Sequence, residues 1–129
     1  MSIEPTGTRT NPTVRRADVL VVGAGPAGCA AALTLARSGV DVTVIDRASF
    51  PRDKICGDGL TTSALRELEA LGLDPSTVAS WIDVDDVIVR SPSGREVTFP
   101  LPRDCGSYAA VSRRRDLDAA LVDLTRSEG

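Results

Sequence analysis

The chain has 129 residues, a formal net charge of −3, 42% hydrophobic residues and no histidine. That length suits one small domain with a modest core. The acidic balance disfavours a nucleic-acid-binding surface, and the lack of histidine removes the commonest general base and metal ligand. No metal site is expected. Three cysteines, Cys29, Cys56 and Cys105, lack C-x-x-C spacing. They argue against a disulfide framework or zinc site and for a reducing cytoplasm.

Residues Met1–Ala17 are polar, rich in Thr and Pro and without periodicity, which predicts a disordered leader. The next stretch, Asp18–Arg47, organises the chain. Val19–Val22 is a short apolar run expected to form a strand buried on both faces. It leads into Gly23-Ala24-Gly25-Pro26-Ala27-Gly28, a G-x-G-x-x-G. An Ala-rich helix follows, with Pro26 suited to its first turn and Gly39 at its end. Val42–Ile45 is a second buried strand, closing on Asp46.

Each glycine has a physical role in such a turn. Gly23 permits the tight bend, Gly25 lets backbone N–H groups approach a pyrophosphate, and Gly28 lets the helix sit against the strand. Asp46 follows Gly28 by eighteen residues, at a strand end where a carboxylate can accept hydrogen bonds from ribose hydroxyls. Strand, turn, helix, second strand and acid together indicate an adenine dinucleotide site. Val19–Ala36 is also an eighteen-residue stretch without charge, long enough to be weighed as a membrane span. Three glycines and a proline within it oppose that reading. A signal peptide is opposed by the missing cleavage site and by the second strand that follows.

Residues 47–59 are polar and glycine-punctuated, a long connection of the kind that tends to be functional. Thr61 or Thr62 can cap a helix bearing Leu65, Leu68 and Leu71, with Gly72 at its end. Ser76–Trp81 suits a short turn. Val84–Arg90 and Arg95–Leu101 are two β-rich runs around Ser91-Pro92-Ser93-Gly94, a type I hairpin turn pattern. They suggest the start of a second, antiparallel sheet, joined by a strand at Ser107–Ser112. Arg115–Glu128 has Leu117, Leu121 and Leu124 on one stripe of an amphipathic helix. The fold class expected is α/β: a Rossmann-like βαβ unit, a helix, a hairpin opening a second sheet, and a C-terminal helix.

The opening stretch, the loop Phe50-Pro51-Arg52-Asp53-Lys54-Ile55-Cys56-Gly57-Asp58-Gly59-Leu60, and the final Arg114-Arg115-Asp116-Leu117-Asp118 with Leu121 resemble flavin-dependent oxidoreductases of the p-hydroxybenzoate-hydroxylase type. The loop is most similar to the geranylgeranyl reductase family, whose members saturate double bonds in prenyl chains of lipids or quinones. The resemblance implies FAD as cofactor and NAD(P)H as electron donor. It implies that Gly23, Gly25 and Gly28, with Pro26 and Ala27 between them, hold the pyrophosphate. Asp46 would bind the adenosine ribose with Arg47 beside it, and Arg52 and Lys54 would reach the phosphates or flank the flavin. Cys56 and Gly57 would lie near the isoalloxazine ring, and Arg114 would touch the cofactor from the last helix. No catalytic residue is identified. Arg52, Lys54 and Arg114 are equally readable as solvated charges, and Cys29 as a small core residue.

Members of that family are much longer, so residues 18–129 are expected to be a partial FAD-binding domain, an incomplete domain lacking a C-terminal half. Residues of about 84–112 would begin a substrate-domain sheet. In such a fragment Leu117, Leu121 and Leu124 would lack part of their packing. The activity implied is reduction of a prenylated lipid or quinone, in the cytoplasm or peripheral to a membrane. The alternatives are an FAD-dependent monooxygenase or halogenase of the same class, a nicotinamide-dependent dehydrogenase, and a non-catalytic nucleotide-binding remnant.

Overall fold

The computed structural model describes residues 14–106 and 108–128. Most of the expected leader, together with Ser107 and Gly129, lies outside that range. Val14–Ala17 belongs to no helix or strand. The opening unit is β1 (Val19–Val22), α1 (Pro26–Arg37) and β2 (Val42–Ile45), with β1 and β2 paired in parallel from Val19↔Val42 to Val22↔Ile45. Parallel strands need a crossover, and α1 is that crossover. Gly39, at φ +82°, turns the chain out of the helix.

The apolar run of β1 is covered on one face only. Leu20 is 58% and Val22 76% exposed, which corrects the expectation of a strand buried on both sides. Helix α1 packs on one face of the strand pair, with α3 (Arg114–Ser127) packed against α1, and no described element covers the other face.

A second, antiparallel sheet has the order β3-β7-β4, from Gly59–Leu60, Ala109–Val111 and Ile82–Val84. Here Gly59, expected in the loop, is the first strand residue. Between β3 and β4 lies α2 (Thr62–Ala70). Thr61 caps it, accepting from the Ala64 N–H at 3.4 Å, while the Thr62 hydroxyl donates to the Tyr108 carbonyl at 2.6 Å. Gly72, at φ +80°, ends this segment. A short 3-10 turn follows at Pro75–Thr77.

The single strand expected at Val84–Arg90 is two. Val84 ends β4, Asp85 gives its carbonyl to the Leu101 N–H at 2.8 Å, and β5 (Asp86–Arg90) pairs instead with β6 (Glu96–Pro100). Consecutive Asp85 and Asp86 interrupt the apolar–polar alternation of Ile82–Val84 at the point where the chain changes partner. The hairpin closes as expected over Ser91–Gly94, with the Gly94 N–H donating to the Ser91 carbonyl at 2.9 Å. It forms its own two-stranded sheet and does not join the three-stranded one.

The last helix, α3, runs Arg114–Ser127. Leu117, Leu121 and Val122 pack with Cys29 of α1, Ala24, Leu73 and Val78 in one buried cluster, with Leu124 at its margin. The expected shortfall in packing of Leu117 and Leu121 is therefore absent: α1 and the segment after α2 fill the space. Arg37 ties three helix ends together, donating to the Leu71 carbonyl at 3.0 Å and to Glu128 at 2.6 Å. Among the described residues, no helix is long and apolar enough to cross a membrane.

Candidate active site at the glycine turn

The Gly23 N–H donates to the Ile45 carbonyl at 2.7 Å, so the turn leaves β1 while still tied to β2. Gly23 sits at φ +107°, a conformation that L side chains rarely adopt. A Cβ on Gly28 would lie 1.8 Å from the Gly23 carbonyl oxygen. Only glycine allows α1 to start this close to the strand.

Helix α1 begins at Pro26, with Gly25 as N-cap and no side chain capping it. The first-turn N–H groups have no intrahelical partner, and the helix dipole adds positive potential there. Asp46 faces this turn from the end of β2. Its Oδ2 accepts from the Ala24 N–H and its Oδ1 from the Ala48 N–H, each at 2.8 Å. Those two bonds, Ala48 first and then Ala24, hold its carboxyl below the usual carboxylate range, and Arg52 and Arg47 add to the effect.

The turn forms one wall of an open cleft of about 1100 Å³. Every site residue expected from the sequence lines it except two. Gly23, Gly25, Pro26, Ala27 and Gly28 come from the turn, Asp46 and Arg47 from the end of β2, Arg52 and Lys54 from the loop, and Arg114 from α3. Four cations thus stand against two lining carboxylates, Asp46 and Asp53. Cys56 and Gly57 do not line the cleft. Cys56 is exposed, and its thiol is pulled below its ordinary value, chiefly by the Asp58 backbone N–H and then by the Arg114 guanidinium.

The loop reaches α3 through Asp58. This residue holds φ +57°, accepts from the Ser112 N–H at 2.9 Å through its carbonyl, and accepts from the Arg114 N–H at 3.3 Å through its carboxylate. It therefore serves the open start of α3. The Arg52 guanidinium lies 4.9 Å above the Phe50 ring.

Asp118 was not among the residues expected at the site. It is fully buried on α3, and Arg114 grips it with two bonds, Nε to Oδ1 at 2.8 Å and Nη2 to Oδ2 at 3.0 Å. Arg52 Nη1 lies 3.2 Å from the same Oδ2. The signal for Asp118 was present in the pattern: an acid next to Leu117 on the buried stripe, four residues after Arg114, requires a cationic partner.

A second hollow, of about 410 Å³, lies against α2 and shares no residue with the cleft. Its polar groups are already paired. The Tyr108 hydroxyl donates to Glu69 at 3.0 Å, and Arg103 and the Trp81 indole both reach Asp83, at 2.6 and 2.9 Å.

The cleft suits a diphosphate. Uncapped helix N–H groups, a turn that admits no side chain at Gly28, and four converging cations are the donor set such a group needs. Comparison with known proteins gives the family. Menaquinone reductase from Mycobacterium tuberculosis is 70% identical over 114 residues, which is 88% of this chain and 28% of that protein. Digeranylgeranylglycerophospholipid reductase 2 from Methanopyrus kandleri is 36% identical over 108 residues, 81% of this chain and 24% of that protein. The solved structure of the flavin-dependent brominase Bmp2 matches with a TM-score of 0.72 and 30% identity, over 88% of this chain and 28% of that one. The chain thus spans about a quarter of the length of these relatives. Residues 16–84, more than half of the sequence, match the FAD binding domain family, and the chain belongs to that family.

Proposed function

We propose that this chain is the FAD-binding portion of a reductase that saturates a prenyl-chain double bond of a quinone or lipid, with hydride drawn from NAD(P)H. The observation that carries this reading is the 70% identity to a menaquinone reductase along 88% of the chain. The similarity to a digeranylgeranylglycerophospholipid reductase supports a prenylated substrate in general. In this reading residues 18–129 are part of an FAD-binding domain, and residues 84–112 begin the sheet of a substrate domain.

FAD, when bound, supplies the hydride-transfer chemistry, and the protein supplies binding and orientation. Gly23, Gly25, Pro26, Ala27 and Gly28 would form the wall that holds the diphosphate, and Arg52, Lys54 and Arg114 would neutralise it. Asp46 fixes the glycine turn through Ala24, and its carboxylate, with Arg47 beside it, would bind the adenosine ribose. Cys56 and Gly57, further along the loop, would hold the flavin. This reading places the full-length enzyme at a membrane periphery, where a prenylated quinone or lipid substrate would be met.

The similarity to a flavin-dependent brominase favours a second reading, a halogenase or monooxygenase of the same class. The test is to co-express this chain with the remaining portion of the M. tuberculosis relative and to supply FAD, NADPH and menaquinone. NADPH consumption with a product that remains two mass units heavier after reoxidation in air, its naphthoquinone absorption retained, supports the reductase, because reduction of the quinone ring adds the same mass but is reversed by air. Oxygen uptake coupled to halide or hydroxyl incorporation into an aromatic substrate, with menaquinone unchanged, overturns it in favour of the second reading.

A further inference from the structure

We propose that Asp118 is a positioning residue for the diphosphate cleft: its buried carboxylate sets the angle at which Arg52 and Arg114 present their remaining N–H groups. This rests on the FAD reading above. The geometry of Arg52 points to it most directly. Its Nη1 lies 3.2 Å from Asp118 Oδ2, while its Nη2 lies 3.6 Å from where a Cβ on Gly25 would stand. One nitrogen is on the buried acid and the other is over the N-cap of α1. Phe50 lies beneath the guanidinium plane at 4.9 Å. The side chain is therefore held from two sides, and Nη2 is turned toward the start of α1.

Charge supports the same assignment. Two guanidinium groups beside an uncapped helix N-terminus repel one another and the helix dipole. One buried carboxylate shared between them removes half of that formal charge and leaves a net positive pair facing the cleft. Arg114 gives two of its five donors to Asp118, and a guanidinium so anchored is already oriented for an anion. Holding donors in place before the ligand arrives lowers the ordering cost of binding. Asp118 touches no cleft surface itself, being fully buried. Its effect on a ligand is exerted through the two arginines.

The test uses the whole chain and three probes: FAD, ADP, which carries the diphosphate, and adenosine, which does not. Binding is titrated for wild type, Asp118→Asn, Arg52→Ala and the double variant. The expected result is a loss of about tenfold or more in FAD and ADP affinity for Asp118→Asn, with adenosine affinity unchanged. Arg52→Ala then costs far less in the Asp118→Asn background than in wild type, because the misplaced guanidinium no longer contributes. Unchanged ADP affinity in Asp118→Asn overturns the proposal. So does an equal loss for ADP and adenosine, or a strictly additive cycle, since either marks a structural role alone. Should Asp118→Asn not fold, Arg52→Lys replaces it. Lysine keeps the charge but cannot serve the acid and the cleft with two nitrogens, so ADP affinity falls and adenosine affinity does not. Wild-type ADP affinity in Arg52→Lys overturns the proposal. A wild-type chain that binds neither FAD nor ADP instead overturns the reading of the cleft itself.

Discussion

Gly28 and Gly23 touch across the turn so closely that a Cβ on Gly28 would stand 1.8 Å from the Gly23 carbonyl oxygen and 3.0 Å from its carbonyl carbon. Both atoms are backbone, so no side-chain rotation relieves the clash. Gly28→Ala must push α1 away from β1, at a cost at or beyond the upper end, about 3 kcal/mol, of ordinary overpacking. Chemical denaturation measures it. The expected result is a large fall in midpoint together with loss of FAD binding. An alanine variant within about 0.5 kcal/mol of wild type would show that the turn and helix do not meet as described.

Asp46 links the turn to pH. Its carboxyl is held below the usual carboxylate range by the Ala48 and Ala24 N–H groups. A depressed folded-state value contributes stability that is fully present above the unfolded carboxylate value, about 3.9, and lost as pH falls through the lower folded value. Asp46→Asn should therefore be less stable than wild type at neutral pH, and the gap should close in acid, below about pH 4. Denaturant midpoints for both proteins from pH 7 downward measure this. A gap that is constant with pH would mean that the carboxylate charge contributes nothing.

The opening unit was legible in the sequence because each part announces itself locally. The apolar run, the spaced glycines, Pro26 and Asp46 lie within thirty residues, and each limits the backbone by its own chemistry. Arg47, Arg52, Lys54 and Arg114 were expected at the cleft because of the family resemblance; their own chemistry reads equally as solvated charge, since only the fold brings the loop and the start of α3 to the glycine turn. Asp118 was harder to see, because its role is fixed by Arg52, a partner far away in the chain. The pair Asp85-Asp86 interrupts the alternation, but the change of partner there was not legible, because a period of two describes a strand and not its neighbour. Leu20 and Val22 show the same limit in burial. An apolar strand signals two faces that favour cover, but the elements that supply cover lie elsewhere in the sequence.

Leucines at two depths make that point measurable. Leu121 is fully buried between α1 and α3, whereas Leu20 is 58% exposed on the open face of β1. Leu121→Ala should cost about 2–5 kcal/mol, the range for emptying a core site. Leu20→Ala should cost less than about 1 kcal/mol, because the removed methyl groups already meet water. Thermal unfolding of the two variants side by side checks it. Equal losses would mean that the open face of β1 is covered in solution.

The hairpin offers a dynamic counterpart. Directly opposed residues of an antiparallel ladder share a face. Val87 with Phe99 and Val89 with Val97 therefore form one apolar face, while Ile88 with Thr98 and Arg90 with Glu96 lie on the other. Arg90 and Glu96 are ion-paired there. Val87, Val89, Val97 and Phe99 are all exposed, so their contacts add little to the ladder. An isolated two-stranded ribbon is only marginally stable in water, and opening free energy follows local burial. Amides of β5 and β6 should exchange with solvent well before those of α1 and α3 in a hydrogen-exchange experiment. Val89→Thr keeps strand propensity while removing apolar surface. It should shift global stability by no more than about 0.5 kcal/mol and reduce aggregation at high concentration. Hairpin amides protected as strongly as those of α3 would contradict this. They would place the apolar face of the hairpin against another surface in solution.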